Sequence, residues 1–261
     1  QARLKMNLHL HTTDSDGGKT SEEAAAIYKA AGYDIIAITD HWKYTASGEL
    51  GGLRILSGAE YNIGGQNGAD GVFHFLALGC EREPAIGRDY RAQAIIDEIK
   101  RCKGLPVLAH PAWSLNRVEQ LEGLDGIEAT EIYNSVSDAG ESSRPYSGEF
   151  VDCAACKGLQ YPLIADDDTH MYDGSDETLS YIMLACGPEA SDGEILDAIR
   201  RKAFYASKGP EIHIFREGNQ ITVKCSPVSR ISFFSNSVWS RGHCVRGQGL
   251  TEATCKVEPF E

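Results

Sequence analysis

The chain has 261 residues, with 25 Lys and Arg against 38 Asp and Glu, for a formal net charge of −13. That length can bury a sizeable core and suits one large α/β domain, or one domain with a small appendage. The composition is ordinary for a globular protein, no apolar run reaches a membrane span, the N-terminus shows no signal-peptide pattern, and so acidic a surface argues against nonspecific binding to duplex nucleic acid.

Residues 3–11, RLKMNLHLH, read as a strand. Side chains alternate along it, so His9 and His11 share one face while Leu8 and Leu10 share the other. Two neutral imidazoles side by side can share a divalent cation, and Asp16 can swing in from the small polar residues that follow. TSEEAAAIYKAAG (20–32) reads as a helix with a Thr20–Glu23 capping box and a terminating Gly32. YDIIAITDH (33–41) is an apolar run of the kind that forms a strand covered on both faces. LRILSGAEY (53–61) and VFHFLALG (72–79) are two further strands. RDYRAQAIIDEIKRC (88–102) carries Ile95, Ile99 and Cys102 at helical spacing. LPVLAHP, GIEATEIYN and YPLIADDD supply the fifth, sixth and seventh strands. Helices are predicted over 142–158 and over SDGEILDAIRRK, which opens with Ser191 and Glu194 in capping-box spacing. Strands alternating with helices imply βαβ units and a mainly parallel sheet. From Pro210 the texture changes to short strands broken at EGN and SP, which predicts a small antiparallel β appendage over 210–261 beside a main domain over 1–209.

The eight cysteines are scattered and fit reduced thiols in a cytoplasmic protein. Cys153 and Cys156 form a lone CxxC, best read as helix packing. The eight histidines distribute less evenly. His41 closes the second strand, His74 lies in the fourth, His110 closes the fifth and His170 follows the seventh. Glu60 closes the third, Asp168 stands two before His170, and the sixth offers Glu131 and Asn134. In a parallel α/β barrel such ends converge on one mouth, where active sites lie. Six histidines and several acids directed to one mouth predict a metal site. Only His213 and His243 fall in the appendage.

Over roughly residues 5 to 210 the chain resembles the PHP (polymerase and histidinol phosphatase) superfamily. The pattern is a His-x-His with a downstream Asp, an Asp-His, a Glu, two separate His and a final Asp-x-His. The matching positions are His9, His11, Asp16, His41 after Asp40, Glu60, His74, His110, Asp168 and His170. The resemblance implies a distorted (β/α)7 barrel holding two or three divalent ions. His9, His11, Glu60 and Asp168 would hold one, Glu60, His74 and His110 a second, and Asp16, His41 and His170 a third, with Glu60 as the bridge. Imidazole and carboxylate ligands without thiolate suit zinc, manganese or iron and do not select among them.

The implied activity is metal-dependent phosphoester hydrolysis by a metal-bridged hydroxide, with Glu60, Asp168 and His170 as the residues carrying catalysis. The expected substrate is a small phosphorylated metabolite or nucleotide, with no duplex nucleic acid and no membrane as partner. A phosphodiesterase or exonuclease trimming nucleotide ends, and a non-catalytic PHP module, are the alternatives; amidohydrolase-type chemistry lacks an evident bridging lysine. Lys43, Arg117 and Arg144, in loops after strands two, five and six, are candidates to bind a second phosphate or a carboxylate. Asp40 could orient a ligand histidine. Asp166 and Asp167 crowd the site, although at most one should face in. Trp42, Tyr44 and Trp113 flank ligands and could stack on a base or sugar.

Overall fold

The computed structural model describes residues 2–65, 71–139, 142–235, 238 and 242–258. Both predicted capping boxes form. Thr20 Oγ1 accepts from the Glu23 N–H at the start of α1 (Ser21–Ala30), while Glu23 returns a bond to the Thr20 N–H. Ser191 and Glu194 do the same for α4 (Asp192–Arg200). Between them lie α2 (Ala92–Arg101) and α3 (Gly148–Cys156). The apolar stripe of α2 is buried as its spacing predicts, through Ile95, Ile96, Ile99 and Cys102. Cys153 and Cys156 do lie on α3, but both are exposed, so helix packing does not account for them.

The strands form three sheets among the described residues. The first has the order β11-β10-β1-β2-β4-β3, from β1 (Leu4–Asn7), β2 (Ile35–Ala37), β3 (Gly48–Leu50), β4 (Leu53–Leu56), β10 (Tyr181–Leu184) and β11 (Phe204–Ser207). The second has the order β5-β6-β7-β8-β9, from β5 (Glu60–Ile63), β6 (Phe73–Leu78), β7 (Leu105–Leu108), β8 (Ala129–Asn134) and β9 (Leu163–Asp166). The third is antiparallel and comprises β12 (Ile212–Glu217), β13 (Gln220–Ser232) and β14 (Cys244–Lys256). The expected break at Ser226–Pro227 is instead a register irregularity within β13, between Lys224 and Val228, which accommodates a proline without ending the strand.

The ladders do not close into the expected (β/α)7 barrel. The predicted third strand is cut in two at Ser57-Gly58-Ala59. Its first half pairs with β2 and its second half with β6, in different sheets. Gly58 permits the switch, because a Cβ there would stand 2.6 Å from the Ile38 carbonyl oxygen. The sheets are also less parallel than expected. β6 runs antiparallel to β5 and β7, and β10 antiparallel to β1. The chain between Ile63 and Phe73 is too short for a crossover helix, which fits the antiparallel pairing of β5 with β6. At one end the two large sheets meet through isolated parallel bridges, Leu10 to Thr169 and His41 to Glu60.

One apolar cluster, including Leu4, Met6, Leu76, Val107, Ile164 and Ile182, fills the space between the large sheets. Two others pack α2 and α3 against the second sheet and α1 against the first. Each such large side chain withdrawn from water contributes about 1.5–3 kcal/mol. This rigid framework fixes the strand ends that carry the site.

Candidate metal centre

His9 and His11 lie just past β1, and Glu60 opens β5. Reversal of β6 puts His74 at its beginning, yet this is still the end where the others gather. His110 follows β7, and Asp168 and His170 follow β9. All nine residues of the predicted ligand pattern come together there, in three overlapping donor groups.

The first group is fully buried. His9 Nε2 lies 3.2 Å from Glu60 Oε2 and 3.0 Å from Asp168 Oδ1. His11 Nε2 lies 3.1 Å and 3.0 Å from the same two oxygens, and 3.3 Å from His9 Nε2. Bonds of about 2.0–2.1 Å to a tetrahedral ion imply ligand–ligand edges of about 3.3 Å, close to this spacing. Glu60 Oε2 and Asp168 Oδ1 are buried without a hydrogen-bond partner. Carboxylate oxygens facing imidazole nitrogens in this way call for positive charge between them, so the residues fit a divalent cation.

The second group uses the other Glu60 oxygen, with His74 Nδ1 at 2.7 Å and His110 Nε2 at 3.4 Å from Oε1. The third surrounds Asp16, whose carboxylate lies 3.6 Å from His41 Nε2 and 3.5 Å from His170 Nε2. His11 Nδ1 is also 3.5 Å from Asp16. A neutral imidazole carries one proton, so His11 can ligate through Nε2 while meeting Asp16 only as a donor. Charge follows the same geometry. Burial opposes ionisation of Glu60 and Asp168, but neighbouring histidines, His9 foremost, hold both carboxyls well below their usual range. A hydrogen bond from His170 does the same for Asp16.

A surrounding layer aims these donors. Glu131 is fully buried, and its Oε1 accepts from His9 Nδ1 at 2.6 Å, leaving the Nε2 lone pair directed at the cluster. Its Oε2 accepts from the His110 N–H at 2.8 Å and from Asn134 Nδ2 at 2.8 Å; the Asn134 amide also donates to Asp168 Oδ2. His170 donates Nδ1–H to the Asp168 carbonyl at 2.7 Å, which turns its Nε2 toward Asp16. His110 and Asp168 both adopt left-handed backbone conformations, φ 27° and 54°, uncommon outside glycine and held here by these contacts.

Asp40 is not aimed at a ligand histidine. Its carboxylate accepts from the Thr12 N–H and from the Thr12 and Ser15 hydroxyls at 2.6–2.7 Å, bracing the loop that presents Asp16. Gly17 completes that loop, since a Cβ there would lie 2.3 Å from the His11 carbonyl oxygen. Asp166 accepts from the Leu8 N–H, and burial pushes its carboxyl well up. Asp167 faces away from the cluster and accepts from Tyr28, Ser135, Leu179 and Ser180.

The site opens into a cleft of about 430 Å³, walled by Asp16, His41, Glu60, His74, His110, Asp168 and His170 on one side and by Trp113, Val136, Ala139 and Met171 on the other. Trp113 packs edge-on against His74 and His110. Lys43, Arg117 and Arg144 do not line it. Lys43 pairs with Asp14 at 3.6 Å, Arg117 lines a separate cleft beside Leu115 and Tyr146, and Arg144 is exposed. Trp42 lines another cleft, and Tyr44 donates to the Cys80 carbonyl. Glu131 was visible in the sequence as the acid that the sixth strand offers with Asn134, but its bracing role emerges only from its partners.

No family model matches the chain, and no curated protein does. Among solved structures, a two-domain protein from Bacteroides vulgatus containing a predicted PHP-like metal-dependent phosphoesterase is 16% identical, with a TM-score of 0.58, covering 98% of this chain and 86% of that one. A Bifidobacterium adolescentis protein assigned as a metal-dependent phosphoesterase is 14% identical, with a TM-score of 0.50 over 76% of this chain and 96% of that one. Endonuclease Q, bound to a 27-mer duplex with an abasic lesion at its active site, is 14% identical, with a TM-score of 0.51 over 77% of this chain and 57% of that one. These likenesses show that the chain has the PHP-like fold. They also overturn one expectation. Endonuclease Q takes duplex nucleic acid on this fold, so neither the exclusion of duplexes nor the restriction to a small phosphorylated substrate stands. Net charge sums the whole surface, whereas a phosphate backbone is gripped locally. Among the described residues no helix is long and apolar enough to cross a membrane.

Proposed function

We propose that this chain is a metal-dependent phosphoesterase whose substrate is a phosphodiester within a nucleic-acid strand. The observation that carries the reading is the overlap of three donor groups at the floor of one open cleft, with Glu60 shared between two of them. Two or three divalent ions, zinc, manganese or iron, would be held by the nine ligand residues. Such ions, when bound, lower the pKa of coordinated water and offset the charge that develops on a phosphoryl group in transfer. The chain's own residues supply the rest. Glu60 ties the first donor group to the second through its two oxygens. Glu131 and Asn134 fix His9, His110 and Asp168 in place before substrate arrives, so little reorganisation is needed during reaction. Asp16 and His170, half open to the cleft, complete the third group where a phosphate oxygen would enter. Duplex DNA as substrate follows the precedent of Endonuclease Q.

The test is hydrolysis of a panel containing aryl phosphomonoesters, aryl phosphodiesters and end-labelled oligonucleotides, single-stranded, duplex and duplex with an abasic position. Chelator-treated protein is compared with protein reloaded with Mn²⁺ or Zn²⁺. The expected result is diester cleavage only after reloading. Absence of any phosphoester cleavage by folded, metal-loaded protein would overturn the proposal, as would undiminished cleavage by metal-free protein.

A further inference from the structure

A second cleft, about 660 Å³, is lined in part by residues next in sequence to two of the candidate ligands. The two clefts share a wall. His41 and His74 face the metal cleft, while the residues beside them in sequence, Trp42 and Phe73, line the second. Trp42 reaches it through a left-handed backbone, φ 58°, held by its N–H bond to the Glu60 carbonyl at 2.8 Å. Its indole N–H donates to Asn62 Oδ1, and the guanidinium of Arg88 lies over its ring at 4.4 Å from the centroid. Tyr90 and Arg91 complete the outer rim, and Tyr90 is exposed. No carboxylate lines this cleft among the described residues, in a chain whose net charge is −13. Among the described residues neither arginine is paired with an acid. The first turn of α2, which borders the cleft, also lacks acids and has no side-chain cap.

We infer that this cleft binds a nucleotide unit of a nucleic-acid strand whose neighbouring phosphodiester lies in the metal cleft. Arg88, backed by the Trp42 ring, and Arg91 would take the phosphate, and the exposed Tyr90 would offer a face on which a base stacks. Cationic groups combined with aromatic platforms are the chemistry by which single strands are held without regard to sequence. The inference rests on the proposed nucleic-acid substrate. Its test reads binding rather than turnover, so a failure of hydrolysis and a failure of this site are distinguishable.

Fluorescence anisotropy of a dye-labelled phosphorothioate oligonucleotide is measured on the metal-loaded full chain over a range of salt. The variant with Arg88→Ala and Arg91→Ala should lose about tenfold in affinity, and its salt slope should flatten by up to about 1.4, since each phosphate contact on a single strand contributes about 0.7. Arg91→Glu, a change at an exposed side chain, should weaken binding at least as much as removing Arg91 and guards against misfolding of the double variant. Unchanged affinity and slope in these variants would overturn the inference. So would an equal loss from Arg216→Ala with Arg230→Ala, which removes two arginines elsewhere, or a wild-type chain that does not bind the oligonucleotide.

Discussion

Glu131→Gln isolates the layer that aims the ligands. Both carboxylate oxygens of Glu131 accept hydrogen bonds in the buried interior, Oε1 from His9 and Oε2 from the His110 N–H and Asn134. Glutamine has the same shape but only one accepting oxygen. If that oxygen faces His9, the amide N–H2 confronts two donors. If it faces His110 and Asn134, the amide donates toward His9 Nδ1 and drives the His9 proton to Nε2, the atom directed at Glu60 and Asp168. Either way a buried charge-assisted bond worth about 1.5–3 kcal/mol is lost. Carboxylates in this supporting position typically control 10–100-fold of metal affinity. A penalty of about 2 kcal/mol corresponds to about 30-fold. Competition with a chelating indicator measures the affinity, and circular dichroism checks that the variant is folded. A folded Glu131→Gln protein binding metal within about twofold of wild type would refute the reasoning.

Glu60→Gln removes the anionic donor common to two groups; by elemental analysis it should lose most of its bound metal, while His213→Ala and His243→Ala, which belong to none of the donor groups among the described residues, should keep theirs. Metal loading should release protons. In the metal-free protein burial disfavours charge on His11, but its close contacts with the Asp168 and Glu60 carboxylates outweigh it and hold its pKa up to about 9. Near neutral pH the metal must therefore displace that proton, and apparent affinity should fall as pH falls. Calorimetry in buffers of different ionisation enthalpy reads this directly, and no released proton would count against it. Gly58→Ala places a methyl 2.6 Å from the Ile38 carbonyl oxygen and 2.9 Å from Thr39 Cγ2. The strain should cost about 1–3 kcal/mol, seen as a Tm lowered by about 2–4 °C per kcal/mol.

The nine candidate ligands could be picked out in the sequence because each stands at or near a predicted strand end in the order of a known pattern, and the structure gathers their donor atoms into three overlapping groups. Helices α1 and α4 were legible because their capping boxes are local. Strand direction was not. Apolar periodicity is the same for β6 run either way, and only the short link to β5 decides. The split at Gly58 depends on a close approach to Ile38, a residue distant in sequence, so LRILSGAEY reads as one strand. Tyr181–Leu184 and Phe204–Ser207, which extend the first sheet, are half-buried and short and give little pattern. Lys43, Arg117 and Arg144 miss the metal cleft because a position in a loop does not fix where a long side chain goes. Net charge gave no ground for excluding a duplex partner, for a related reason: it carries no information about where cations cluster, and Arg88 and Arg91 line one cleft together.

The most direct test is anomalous diffraction from crystals grown with Mn²⁺ or Zn²⁺. Peaks are expected between His9, His11, Glu60 and Asp168, and between Glu60, His74 and His110, each within about 2.0–2.3 Å of the named donor atoms. Ordered histidines with no peak between them, at metal concentrations that saturate binding in solution, would contradict the account.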